Sequence, residues 1–353
     1  EALVLIASFD IWQSALLFRP HISVISHLFG RRNALLISDH IKRNNGLVAV
    51  LPTEGRPSTE GQITWATQGF DASLCDLYMA WSRTTADLIP PEANPLVAGC
   101  PRFDFYCPSY NSLIRPPEET QELLGLRADD KVITLASSYP QAKFTQINSD
   151  FNVKDWKDLR MTATKGQEDP ALYARKEWAA FIQFQALIPA IKREFPEYKL
   201  VLKPHPSESM WMWETFCYDH DVILMQGDYI WNLLSISSCH ISRTDCLTAA
   251  EAGYFKLNTF VLSDENTDED GPGKELSQLV FRSSVSDSLS AQLHLVNECL
   301  SLGRTTGIDT RECYNKKWLT PGPDAAKRIA EQITNMSFKK FSVDDPTLDD
   351  LVK

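Results

Sequence analysis

The chain has 353 residues, 43% hydrophobic and 23% charged, which suits a globular protein large enough for two cores. Its net charge of −11 excludes general nucleic-acid binding, which needs a basic surface, and leaves room only for a local basic cleft. No run of about 18 apolar residues occurs, so no membrane-spanning helix is expected. The eight cysteines show neither a CxxC pair nor zinc spacing, so they read as reduced, buried thiols, with no metal site and no cofactor.

In chain order, Leu3–Ala7 reads as a strand and Ile11–Phe18 as a short helix. The chain starts without Met and almost directly in that strand, so upstream βα units are expected to be missing. Ala2–Ala7 lacks the basic flank and length of a signal peptide. Ile22–Ser26 is a strand and Asn33–Lys42 a helix, with Asn44, Asn45 and Gly46 as its stop signal. Leu47–Leu51, Leu77–Trp81 and Leu96–Ala98 are further strands, and this alternation predicts βαβ units with a parallel sheet.

The proline-rich, aromatic stretch Gly99–Pro117 breaks the pattern and reads as an interdomain connection. A second α/β series opens with Val132–Ala136, followed by a weakly patterned stretch, Ser137–Gln167. Ala171–Phe195 is the longest helix, and strands follow at Lys199–Leu202, Val222–Met225, Cys239–Ser242 and Leu257–Leu262. The acidic segment Ser263–Gly273 partly mimics a calcium loop, but Glu269 stands where the turn needs Gly, so it reads as a solvated loop. Ser286–Leu300 and Pro323–Met336 are closing helices. The expected domains are 1–115, on the acceptor side, and 116–353, on the nucleotide side, with the last helix crossing back.

Three constellations carry chemistry. The first is Tyr198–Ser209, an apolar strand stopped by Pro204 and Pro206 with Lys203, His205, Pro206 and Ser207 at its carboxyl end. In open α/β sheets ligands bind at such ends, and a cation beside an imidazole and hydroxyls suits a phosphate. The second is Cys239–Gly253, where Ser242, Thr244, Asp245 and Thr248 crowd the start of a small-residue helix. Backbone N–H groups and hydroxyls there form a phosphate cradle, and Glu251 one turn on is placed for a ribose diol. The alternative is an ordinary capped helix. The third is Pro52–Gly55, which sets Glu54 at a strand's carboxyl edge as a candidate general base. Trp211, Trp213 and Trp231 read as packing rather than as sugar platforms.

Gly99–Asp104, Lys203–Glu208 and Thr248–Ala252, in this order, resemble bacterial surface-carbohydrate biosynthesis proteins and the CDP-polyol phosphotransferases of teichoic-acid synthesis. Glu54-Gly55 with His205-Pro206 is similar to the acidic-Gly and His-Pro motifs of bacterial sialyl- and Kdo-transferases. The resemblance spans roughly residues 47–255 and departs from the pattern at Cys246-Leu247-Thr248, where these families often carry Ser-Thr-Thr. It implies the GT-B architecture: α/β, two Rossmann-like domains with parallel sheets facing a central cleft. It also implies a metal-independent glycosyltransferase of surface polysaccharide synthesis. The donor would be a nucleotide sugar, CMP-linked and carrying an acid sugar such as Kdo, and the acceptor a glycan or a lipid-linked glycan.

By the resemblance His205 and Lys203 stabilise the leaving nucleotide and Glu251 holds its ribose. Glu54 is the general base of an inverting reaction, or Glu54 or Asp10 the nucleophile of a retaining one, while Arg102 and Asp104 sit at the domain junction. The expected location is the cytoplasm, and a lipid-linked acceptor would bring the protein peripherally to the inner face of the membrane. The alternatives are a CDP-glycerol or CDP-ribitol phosphotransferase, a UDP-sugar 2-epimerase, and a non-catalytic GT-B-like scaffold.

Overall fold

The computed structural model describes residues 20–26, 32–52, 72–140, 142, 170–206, 208, 210–243, 246–263, 281–304 and 324–340. The expected elements at Leu3–Ala7 and Ile11–Phe18 lie outside these residues, as do residues 143–167 and the acidic loop from Asp264 to Gly273. The chain divides into two compact units, Glu1–Ser109 with Asn315–Lys353, and Tyr110–Tyr314. The division falls inside the proline-rich connection, and residues 315–353 group with the first unit.

In the first unit β1 (Ile22–Ile25), β2 (Leu47–Val50), β3 (Leu77–Ala80) and β4 (Pro95–Val97) form a parallel sheet in sequential order. Every residue of β2 and β3 is buried, as a parallel strand covered on both faces requires. Helix α1 (Arg32–Arg43) covers one face, packing Ile37 and Ile41 on Val48. It stops where the polar triplet predicts: Asn45 takes the left-handed conformation at φ 61°, and a Cβ on Gly46 would stand 2.8 Å from the Pro20 carbonyl oxygen.

The opposite face is covered by the last of the described helices, here α9 (Ala325–Lys340), whose Ile329, Ile333 and Met336 meet Ala49, Leu77, Met79 and Ala98. That helix is anchored by α2 (Pro101–Asp104): the Asp104 carboxylate accepts the backbone N–H of Ala325 at 3.0 Å and of Ala326 at 2.9 Å. A side-chain acceptor on two first-turn N–H groups is an N-cap supplied from over two hundred residues away.

The second unit is one six-stranded parallel sheet in the order β10-β9-β8-β5-β6-β7. Its strands are β5 (Lys131–Ala136), β6 (Tyr198–Lys203), β7 (Ile223–Leu224), β8 (Ser237–Arg243), β9 (Asn258–Ser263) and β10 (Phe281–Ser284). The helices used below are α3 (Pro117–Leu123), α4 (Pro170–Glu194), α5 (Trp211–Asp219), α6 (Ile230–Ile236), α7 (Leu247–Tyr254) and α8 (Leu289–Ser301). Alternate residues of the central strands feed two cores. Ile133, Leu135, Leu200 and Leu202 pack under α4 and Trp213 of α5, while Val132 and Val201 pack under Leu233 and Leu234 of α6.

Sequence periodicity located β5, β6, β8, β9, α4 and α7 to within two residues at nearly every end. It missed α2, α3, α5, α6 and β10, which are short or carry no clear apolar stripe.

Candidate functional site

The chain runs from β5 outward through β6 to β7, returns to β8 on the other flank of β5, and continues to β9 and β10. This reversal makes the carboxyl ends of β5 and β8 the topological switch point, the place where such sheets leave a crevice for a ligand. Ala136 of β5 is in register with Lys203 of β6 on one side and with Ser242 of β8 on the other. The sequence-predicted Lys203–Pro206 turn and the Ser242–Glu251 segment therefore flank one edge of one sheet.

The turn after β6 is held from within by Glu208, which is 8% exposed. Its carboxylate accepts from Ser137 Oγ at 2.5 Å, His205 N at 3.1 Å, Trp213 Nε1 at 3.0 Å, and also from Tyr139 N. The backbone closes the same turn, Glu208 N donating to the His205 carbonyl at 2.9 Å. One carboxylate thus ties the β6 turn to the residues that follow β5 and to the first turns of α5. Pro204 is buried, Lys203 and His205 are half-buried, and Pro206 is exposed.

On the β8 side, Arg243 mirrors this arrangement. Its Nη1 donates to the Ser138 carbonyl at 2.8 Å and to Glu177 Oε1 of α4 at 2.5 Å, and its guanidinium lies 5.3 Å from the centre of the Tyr139 ring. The Glu177 side chain is 1% exposed and that of Arg243 12%, so this is a buried, charge-assisted pair. Residues 137–139 are gripped between Glu208 and Arg243, which gives the loop after the central strand a defined shape beside Lys203.

The hydroxyls of the second constellation are arranged less openly than the sequence suggests. His240 and Ser242 both have zero exposure. His240 Nε2 shares a 2.9 Å hydrogen bond with Thr248 Oγ1, which also stands 2.9 Å from Cys246 Sγ. Burial pushes the His240 imidazole down to about 3, so the ring is neutral and fastens β8 to α7. Among the described residues the Ser242 hydroxyl meets no hydrogen-bond partner. Glu251 is fully buried in α7, closed to solvent rather than displayed to it.

Thr244, Ser207, Glu54 and Asp10 lie outside the described residues. Asp104 is the buried cap on α9 and Arg102 next to it is half-buried. Trp213 has zero exposure and Trp231 8%, both packing, while Trp211 is 49% exposed. Glu208 and Arg243 went unassigned at the sequence level. Glu208 falls three residues after His205, a spacing from which a carboxylate reaches back to cap its own turn, and Arg243 is the one cation in Cys239–Gly253.

At the carboxyl end of β7 a cavity of about 430 Å³ is lined by Arg115, Thr120, Met225, Gln226, Gly227 and Asp228. Arg115 forks onto Asp228, and Asn232 accepts the Arg115 backbone N–H at 3.1 Å while donating to Asp228 at 2.9 Å. Next to it the Tyr229 and Trp231 rings stack in parallel, 4.3 Å apart. Among the described residues no cluster of three or more His, Cys, Asp or Glu is placed to hold a metal ion, and no helix is long and apolar enough to cross a membrane.

Two parallel α/β units, the second with its strand order reversing about β5, are an α/β architecture of the GT-B kind. Solved structures share it. The S. aureus MnaA–UDP complex aligns over 93% of this chain and 79% of its own, with TM-score 0.57 and 11% identity. The UDP-GlcNAc 2-epimerase from Neisseria meningitidis bound to UDP-GlcNAc aligns over 93% and 80%, with TM-score 0.53 and 15% identity. The wall teichoic acid polymerase TagF soaked with CDPG aligns over 92% and 73%, with TM-score 0.55 and 12% identity. At such identities the likeness establishes the fold and nothing finer. No family model and no curated protein matches the chain.

Proposed function

We propose that this protein is a transferase of bacterial surface-polymer synthesis that takes its donor group from a cytidine nucleotide. The observation that carries the reading is the meeting of Lys203, His205 and the shaped loop 137–139 at the switch point of the second sheet. A phosphate-bearing donor is the ligand such an edge suits, because Lys203 and His205 follow β6 at the strand ends where open α/β sheets bind their ligands. In this reading Lys203 and His205 neutralise the charge that develops on the departing nucleotide. Glu54 takes the proton of the attacking hydroxyl, and a glycan or lipid-linked acceptor supplies that hydroxyl on the cytoplasmic side. The transferred group is a sugar from a CMP-linked donor, such as Kdo, or a polyol phosphate from a CDP-linked one. The likeness to TagF soaked with CDPG favours the second form.

A second reading is a UDP-sugar 2-epimerase, favoured by the shared architecture of the epimerases that bind UDP and UDP-GlcNAc. A panel of CDP-glycerol, CMP-Kdo and UDP-GlcNAc, each incubated with and without an acceptor glycan, separates them. Release of CMP with mass gain on the acceptor supports the transferase, with CDP-glycerol adding glycerol phosphate and CMP-Kdo adding the sugar. Isomerisation of UDP-GlcNAc without an acceptor identifies the epimerase. Binding of none of the three would leave a scaffold and remove the proposal. His205→Ala should lower turnover about 100- to 1000-fold with the fold intact.

A further inference from the structure

Two cysteines far apart in sequence meet inside the second unit. Cys239 of β8 and Cys299 of α8 are sixty positions apart, and their sulfurs stand 3.0 Å from each other. Both have zero exposure and belong to the largest apolar core. A disulfide needs an S–S separation of about 2.05 Å, so the sulfurs are about 1 Å short of bonding distance. The backbone around the pair is anchored as well. Asn258 of β9 donates to the Cys299 carbonyl at 3.1 Å and to the Gly303 carbonyl at 2.9 Å, holding the end of α8 against the sheet. Apart from each other, the hydrogen-bond acceptor in reach of either sulfur among the described residues is the carbonyl of His240, 3.7 Å from Cys239.

We infer that Cys239 and Cys299 are a redox pair that closes to a buried disulfide, pinning α8 to the central strand β8. In the reaction both S–H bonds and the S–S bond of an oxidising disulfide break, one S–S bond forms between Cys239 and Cys299, and the oxidant leaves as two thiols carrying the two protons and two electrons. Exchange proceeds through a mixed disulfide on one of the two sulfurs, so with both buried it requires α8 to loosen transiently. Once closed, the bond is shielded by the same packing. It constrains the unfolded chain by a loop of sixty residues, which raises the melting temperature without altering the core.

The test uses the full chain, reduced, unfolded in urea and refolded in glutathione disulfide, then denatured and alkylated with N-ethylmaleimide. Six adducts on the eight cysteines are expected, with the peptides carrying Cys239 and Cys299 joined. The refolded protein should melt about 5–10 °C above its dithiothreitol-treated form. In Cys299→Ala, which removes only one sulfur, both the missing adducts and the melting shift should disappear. Eight adducts after oxidative refolding, a cross-link that maps elsewhere, or a melting temperature that does not rise with the cross-link would each overturn the inference. The outcome is independent of which nucleotide the protein uses.

Discussion

Removing the Glu208 carboxylate tests how the site is built. Glu208→Ala leaves four donors without their acceptor: Ser137 Oγ, Tyr139 N, His205 N and Trp213 Nε1. Each buried donor left unsatisfied costs about 1–3 kcal/mol. The simple sum is an upper bound, because the donors share one partner and their losses are not additive. With water entering the vacated space, the net loss expected is about 3–5 kcal/mol, at the high end for a single substitution. Glu208→Gln is nearly isosteric, yet it turns an amide NH₂ toward N–H and O–H donors, so it should recover less than half of the loss. Urea denaturation measures both, with an unchanged m-value and a lower midpoint expected. A loss below about 1 kcal/mol for the alanine variant would refute the claim that this carboxylate organises the turn.

Arg243→Met leaves Glu177 as a buried, uncompensated charge and should cost about 3–5 kcal/mol, whereas the double variant Glu177→Leu with Arg243→Met should recover most of it. Denaturation of the single and double variants checks this, and an equally unstable double variant would refute it. For His240 the sign follows from burial: the folded pKa of about 3 lies below the unfolded value near 6.5, so the unfolded chain binds the extra proton between them. Stability from this group is complete above pH 6.5 and falls as the pH drops toward 3, by about 2 kcal/mol at pH 5. The difference in unfolding free energy between the native chain and His240→Gln should narrow by that amount between pH 7 and pH 5. Asp104→Ala should cost about 1–2 kcal/mol and speed amide exchange at Ala325 and Ala326 selectively, because it removes the cap on α9.

The predicted strand and helix pattern followed from apolar residues recurring at periods the backbone imposes, and from proline and asparagine stops such as Pro204 and Asn45. It was enough to identify two parallel α/β series and to place Lys203 and His205 at a strand's carboxyl end. Periodicity carries no information about which strands are neighbours, so the level alignment of Lys203, Ala136 and Ser242 became visible only in the sheet order. The same limit hid the distant partners of Glu208 and the partners of Arg243, which lie 69 to 71 and 66 to 105 residues back.

The residue types a phosphate site would use, and a strand end to hold them, were written in the sequence. Which of those side chains are buried in the scaffold was decided by tertiary structure. Ser242 and Glu251 have zero exposure, and Asp104 caps a helix more than two hundred residues away. The physical reason is that a polar side chain's role is set by the donors and acceptors brought within about 3 Å of it, and those come from segments remote in sequence.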